Sequence, residues 1–358
     1  MMKDKIKKYL ISLSAIMIII GAMLILPVTV RAAKVSGKCG DSIFWMYNEP
    51  KKTLIIAGSG KMYDYSYHNE APWKHMAETS GEAVQYDDSQ IDKLIIGSEI
   101  TYIGDEAFSG LLINEVEFDN IKSSKLASIG EYAFSYCNSL ESIKLPSSLK
   151  KIGKHAFAVS AFTDFTIPTS CTEIADYAFA GCTFTRIEIP NTVKKLGKYA
   201  FGYRAKNQDG SENLDDSTPK KEIHRVARFE VVGPKSNIGS STAFKYAKKY
   251  NLNYVMKGVK GPKIKTASNV KTRRILLKWN KSGSASGYYI RYSTSKKFDK
   301  SSATKYITVK GRKTTSRKTA QLTKNKTYYI TLRYYKYVAG KKCYSEWWKT
   351  AKKVKIKK

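Results

Sequence analysis

Four short stretches of the chain alternate apolar and polar side chains: Val116 and Phe118, Ile143 and Leu145, Phe165 and Ile167, Ile187 and Ile189. Period two predicts strands with one buried face. Pro146, Pro168 and Pro190 follow three of these pairs and end the strands, where a missing N–H does little harm. Between the strands one hexapeptide pattern recurs at 103–108, 129–134, 152–157, 174–179 and 196–201: an aliphatic residue, Gly or Ala, two variable positions, Ala, Phe. Its last residues, Phe108, Phe134, Phe157, Phe179 and Phe201, lie 26, 23, 22 and 22 positions apart. Self-similarity at this period predicts a solenoid whose stacked units form a parallel sheet and bury a continuous column of Phe, Ile and Leu.

The pattern changes after residue 262. Alternating segments around Ile275 to Trp279, Tyr288 to Tyr292, Tyr306 to Val309, Tyr328 to Tyr335 and Cys343 to Trp348 are separated by turn residues. Many short alternating strands in about 100 residues predict a β-sandwich. At the other end, Lys3, Lys5, Lys7 and Lys8 precede an apolar run over 10–26, then Pro27 and the pair Ala32 and Ala33. That layout predicts a secretory signal peptide over 1–33, cleaved after Ala32 or Ala33. The run is also about long enough to span a bilayer, so an uncleaved membrane anchor is the alternative.

Charge sharpens the division. The formal net charge of +33 first points to nucleic acid. Residues 34–256, however, hold 27 basic and 27 acidic side chains, whereas residues 257–358 hold 31 basic side chains against Asp299 and Glu346 alone, a balance of +29. A neutral body is thus joined to a small, strongly basic domain, with the shift near Gly258 to Pro262, a segment suited to a linker. Outside the cell no specific nucleic-acid partner is expected.

The repeats resemble the BspA-like leucine-rich repeats of bacterial surface proteins. The stretch before them resembles the N-terminal cap common in that family, through Cys39-Gly40-Asp41, Trp45, the apolar residues Leu54 to Ala57 with Gly58 and Gly60, and Ala71-Pro72-Trp73. Residues 229–255 resemble its closing cap, with a short helix around Phe244 and Ala247. The basic segment resembles a fibronectin type III domain: Trp279 fits the core Trp, and Leu322 with Tyr328 fits the tyrosine corner. After the signal peptide over 1–33, these resemblances imply a mainly β chain: a solenoid cap over 34–90, leucine-rich repeats with a closing cap over 91–257, and a fibronectin type III-like β-sandwich over 258–358. The solenoid is expected as a parallel sheet with short helical turns. What the BspA-like resemblance implies for function is adhesion or host-surface interaction.

Two surfaces stand out as candidate binding sites. With the apolar strand positions facing inward, Glu115, Glu117, Ser142, Lys144, Asp164, Thr166, Arg186 and Glu188 line the outer face of the solenoid strands. Placing Tyr288, Ile290, Tyr292, Tyr328, Ile330, Leu332 and Tyr334 inside the sandwich puts Tyr289, Arg291, Tyr329, Arg333 and Tyr335 on one basic, aromatic outer face. Such a face can stack on sugars and hold anions. Outward tyrosines are also simply good strand residues.

No catalytic constellation emerges. His68 and His75 lack the spacing of a helical zinc pair, His155 stands at a variable repeat position that predicts exposure, and no phosphate loop or nucleophile elbow occurs. The polar insertion over 202–224 lacks EF-hand spacing and is expected to be a solvated loop. No metal or cofactor is expected. Cys137 and Cys182 share a repeat position two units apart, too far for a disulfide, and Cys171 takes a core site filled by Leu149 and Val193 elsewhere. The sequence therefore predicts a secreted, monomeric, non-enzymatic cell-surface binding protein. Its solenoid would engage a host or matrix protein or a glycan, and its basic domain an anionic cell-wall polymer or another polyanion. The basic tail carries no wall-sorting pattern, so retention is expected to be non-covalent. The alternatives are an accessory extracellular carbohydrate-binding module and a hydrolase with an unrecognised site.

Overall fold

A computed structural model describes residues 36–75, 91–205, 214–215, 217–298 and 303–357. The expected signal segment and most of the acidic part of the insertion lie outside the described residues. The chain is mainly β, a leucine-rich-repeat solenoid followed by a fibronectin type III-like sandwich. Among the described residues no helix is long and apolar enough to cross a membrane.

The solenoid is organised around its phenylalanines. Phe108, Phe134, Phe157, Phe179 and Phe201 stack ring on ring at 5.1, 5.4, 5.2 and 4.8 Å between centroids. Trp73 of the opening cap extends the column by one ring, 5.4 Å from Phe108, and its Nε1 donates to the Ala107 carbonyl. The column closes on Tyr246 of the helix Thr242–Lys249, whose hydroxyl accepts from Phe201 N and donates to Phe201 O. Ser241 caps that helix by accepting from Phe244 N. Both ends of the column are thus covered by aromatic side chains of non-repeat segments, as an otherwise open solenoid end requires.

The continuous parallel sheet does not run along the alternating stretches. It runs along the aliphatic start of the hexapeptide, through Ile100–Ile103, Ser128–Ile129, Lys151–Ile152, Glu173–Ile174 and Lys195–Leu196. The glycine after the aliphatic residue is what lets the coils approach: a Cβ on Gly153 would sit 2.5 Å from the Gly130 carbonyl oxygen. Of the alternating stretches, Glu115–Phe118 and Arg186–Glu188 are strands. Around Ile143 and Phe165 the alternation of burial persists without a ladder.

Within each repeat the residue before Ala takes a left-handed backbone: Glu106, Tyr132, His155, Tyr177 and Tyr199 have φ between 48° and 57°. The rings of Tyr132, His155, Tyr177 and Tyr199 form a second column. His155 is 0% exposed, 4.5 Å from Tyr132 and 4.9 Å from Tyr177, nearly parallel to both. The expectation of a surface histidine is therefore corrected: from the second repeat on, this position carries a ring, and His155 stacks between its two neighbours. The insertion is not wholly solvated either. Tyr203–Ala205 and Ile223–Arg225 pair as an antiparallel hairpin, and Leu214 is buried against Tyr177 and Ala180.

All five cysteines are buried and free. Cys137, Ser160 and Cys182 share one role: each donates from its side chain to the carbonyl of a column phenylalanine one repeat earlier, Phe108, Phe134 and Phe157, at 3.3, 2.8 and 3.1 Å. Burial pushes the thiols of Cys39, Cys137 and Cys182 up to about 12 and those of Cys171 and Cys343 to about 11. A thiol reagent at pH 8 should therefore label none in the native protein within minutes and five per chain after denaturation. Prompt labelling of any cysteine in the native state would contradict this packing.

The sandwich packs Ile264–Val270, Arg274–Trp279 and Ser316–Lys318 against a sheet of Lys305–Lys310, Gly287–Ser293, Thr327–Val338 and two last strands. Trp279 meets Tyr288 edge-on at 5.2 Å between the sheets, and the Tyr328 hydroxyl accepts from Thr323 N. All seven inward positions expected from the pattern are buried. The final strand differs from expectation. It is split into Lys341–Tyr344 and Lys352–Lys355, both pairing with Thr327–Val338, while Ser345, Glu346 and Trp347 loop across the outer sheet face.

Candidate binding surfaces

The two units share a sheet. Arg186–Glu188 of the last repeat pairs in parallel with Glu230–Gly233, which pairs in parallel with Asn253–Met256. Asn253–Met256 in turn pairs in parallel with Lys341–Tyr344 of the sandwich, through Tyr254 opposite Cys343 and Val255 opposite Tyr344. The sandwich thereby covers the exposed edge of the closing cap. The segment read as a linker is packed rather than loose. Glu346 N donates to the Val259 carbonyl, and Gly261 lies so close to the loop after the sandwich strand that a Cβ would meet Glu346 O and Trp348 N at 2.8 Å.

An ion network fixes this junction. Glu230 accepts from Arg333 of the sandwich and Arg186 of the last repeat, and Arg186 also donates to both carboxylate oxygens of Glu346, at 2.9 and 2.8 Å. Lys257 donates to Glu188 nearby. Burial alone would raise the Glu230 carboxyl, but the guanidinium groups of Arg333 and Arg186 outweigh it and hold it below the ordinary range. Arg333 lies over Tyr344 at 4.0 Å and Trp347 at 4.3 Å. Arg291 lies over Trp347 and Phe298, each at 4.2 Å, and Arg228 of the solenoid lies 3.9 Å over Tyr306.

This arrangement corrects the basic, aromatic face. Tyr289 lies opposite Arg333 and Tyr329 opposite Ser293, so the expected strand pairing does bring the candidates onto one side. Yet Arg333 is 2% exposed and Tyr335 3% exposed, and Tyr289, Arg291 and Tyr329 are half-buried. The reason is that strand alternation separates the inside of a sandwich from its outside but cannot tell solvent from a neighbouring unit. Here Trp347 and the closing cap cover the outside; both arginines are already stacked on aromatic rings, and Arg333 is also paired with Glu230.

The eight solenoid candidates are all exposed. Those at the two ends are engaged: Lys93 makes ion pairs with Glu115 and Glu117, and Arg186 and Glu188 belong to the junction. The open middle comprises Ser142, Lys144, Asp164 and Thr166, with no ion pair to Lys144 or Asp164 among the described residues.

Beside the junction lies a cleft of about 460 Å³, lined by Arg225, Lys248, Asn251, Leu252, Asn253, the turn at Ala339 and Gly340, Lys341, Lys342 and Tyr344. No acidic side chain is among its described lining residues. Sequence reading missed it because its cations come from three separate segments. Among the described residues no group of three or more His, Cys, Asp or Glu side chains comes together as a metal site would require.

Comparison with known proteins places residues 81–207 in the BspA type leucine rich repeat region, in six copies. No curated protein matches the chain. A leucine-rich repeat protein from Eubacterium ventriosum is similar at 25% identity over 57% of this chain, with a TM-score of 0.41; the chain spans 45% of that protein's length. A leucine rich cell surface protein from Faecalibacterium prausnitzii matches at 19% identity over 57% of this chain and 72% of its own, with a TM-score of 0.28. An Fn3-like protein from Clostridium thermocellum matches at 16% identity over 28% of this chain and 97% of its own, with a TM-score of 0.20.

Proposed function

Because the chain carries BspA-type leucine-rich repeats over residues 81–207, we propose that it is a secreted, non-enzymatic binding protein of the bacterial surface, with two partners. The solenoid presents the open polar positions around Lys144 and Asp164 to a protein or glycan. The sandwich holds the molecule non-covalently to an anionic polymer. The observation that carries this reading is the segregation of charge, zero over residues 34–256 and +29 over residues 257–358. A domain so charged draws polyanions from solution. Because the sandwich shares a sheet with the closing cap, attachment of one unit sets the orientation of the other.

Titration of the protein with polyglycerol phosphate or heparin at 50 and 200 mM salt tests this reading. Affinity should fall on the order of tenfold or more across that range, because neutralising several anionic groups releases their counterions. Salt-insensitive binding that Tyr329→Ala abolishes would favour sugar recognition through the half-exposed tyrosine instead. Absence of binding to either polymer at 50 mM salt would overturn the polyanion part.

A further inference from the structure

The cleft between the closing cap and the sandwich has the make-up of a recognition site rather than a diffuse basic surface. Its cations are brought together from three elements: Arg225 from the hairpin strand Ile223–Arg225, Lys248 from the helix Thr242–Lys249, and Lys341 and Lys342 from the sandwich strand Lys341–Tyr344. Arg225 donates one guanidinium N–H to the Asn251 carbonyl, which ties down the side chain and leaves the other donors of the fork available. Lys342 lies over the Tyr335 ring at 4.8 Å. Neither Lys248 nor Lys341 makes an ion pair among the described residues. Burial, reinforced by the neighbouring Arg225 charge, lowers the Lys341 ammonium below its usual value. Like charges are therefore gathered around a half-buried Lys341, with Arg225 and Lys248 exposed beside it and no carboxylate among the described lining residues. An anion entering there would relieve that repulsion while accepting charge-assisted hydrogen bonds.

The remaining lining fits the rest of such a ligand. Tyr344, the largely buried Leu252, Asn251 and Asn253 complete the lining. At about 460 Å³ the cleft falls within the usual range for ligand sites and holds more than a bare oxyanion. We propose that this junction cleft binds an acidic polysaccharide, receiving one sulfate or phosphate group between Arg225, Lys248 and Lys341 with its sugar against Tyr344. The inference rests on the polyanion reading above and narrows it to one place. Because cap and sandwich each supply part of the cleft, the site exists only while the two are docked.

The test compares two charge-matched double variants with the unmodified protein. Arg225→Ser with Lys341→Ser empties the cleft; Lys265→Ser with Lys278→Ser removes two exposed lysines of the other sheet. Each is titrated with heparin oligosaccharides, as the sulfated polysaccharide, and with a phosphomannan, as the phosphorylated one. The cleft variant should lose at least tenfold in affinity for the preferred polymer and the control about twofold, and the polymer bound more tightly identifies the source of the acidic group. Equal losses in the two variants would overturn the cleft while leaving the polyanion reading intact. Absence of binding by the unmodified protein would overturn both. Amine acylation of the unmodified protein gives a second measurement that needs no variant to fold. Bound polymer should slow labelling of Lys248 and Lys341 at least fivefold relative to Lys265 and Lys278, and uniform protection would overturn the proposal.

Discussion

Phe157→Ala should destabilise the solenoid by about 3–5 kcal/mol, the range for removing a fully buried aromatic ring. Phe157 is the middle ring of the column, wholly buried and stacked on both neighbours, with Phe162 and Phe165 also against it. The loss has two parts. One is the transfer and cavity term of the ring itself. The other is the break in nearest-neighbour coupling, since each repeat contacts chiefly the repeats beside it. Denaturant unfolding should accordingly show not only a lower midpoint but a broader transition, as units on the two sides of the gap begin to unfold separately. A change below about 1 kcal/mol with an unbroken transition would mean that the column is not what holds the repeats together.

Glu230→Ala should be the most damaging single change at the junction. It leaves Arg333, 2% exposed, without its carboxylate, and removal of one partner of a buried pair destabilises by about 3–5 kcal/mol. Adding Arg333→Met should recover much of that loss, because a buried ion pair replaced by apolar side chains of similar size is often neutral. A double-mutant cycle reads the coupling directly; additive losses from Glu230→Ala and Arg333→Met would show that the pair does not fix the junction. The same pair sets a pH dependence. The Glu230 carboxyl is held low in the folded protein, so its contribution is present above the ordinary Glu range near about 4.3 and is lost as pH falls through the lower folded value. The docked state should therefore weaken on acidification below about pH 4 and hold at neutral pH.

What could be read from the sequence follows from what periodicity encodes. The hexapeptide repeat disclosed the Phe column because every copy of that position meets the same neighbours. The inward sandwich residues, from Tyr288 to Tyr334, were legible because alternation fixes which side of a strand faces the core. Other features depend on contacts that no local pattern carries. His155 is chemically unlike Tyr132 and Tyr177 yet stacks between them, since the column selects flat side chains in a left-handed backbone. Arg333 is an outward strand residue that a second unit then covers. The split of the last strand follows from the loop that carries Glu346 to Arg186 and lays Trp347 over the arginines. One hint was available: Glu346 is one of only two acidic residues in the basic segment, and a rare carboxylate in such surroundings has reason to be paired. The junction cleft offered no such hint, because Arg225, Lys248 and Lys341 belong to separate stretches.

The central claim is that the solenoid and the sandwich form one body joined by a shared sheet. Backbone hydrogen exchange at 253–256 and 341–344 tests it most directly. The account predicts that both segments are protected to the same degree as the sandwich strand Gly287–Ser293, and that Glu230→Ala lowers their protection together. Exchange of 253–256 at the rate of an open edge strand, with Gly287–Ser293 still protected, would contradict it.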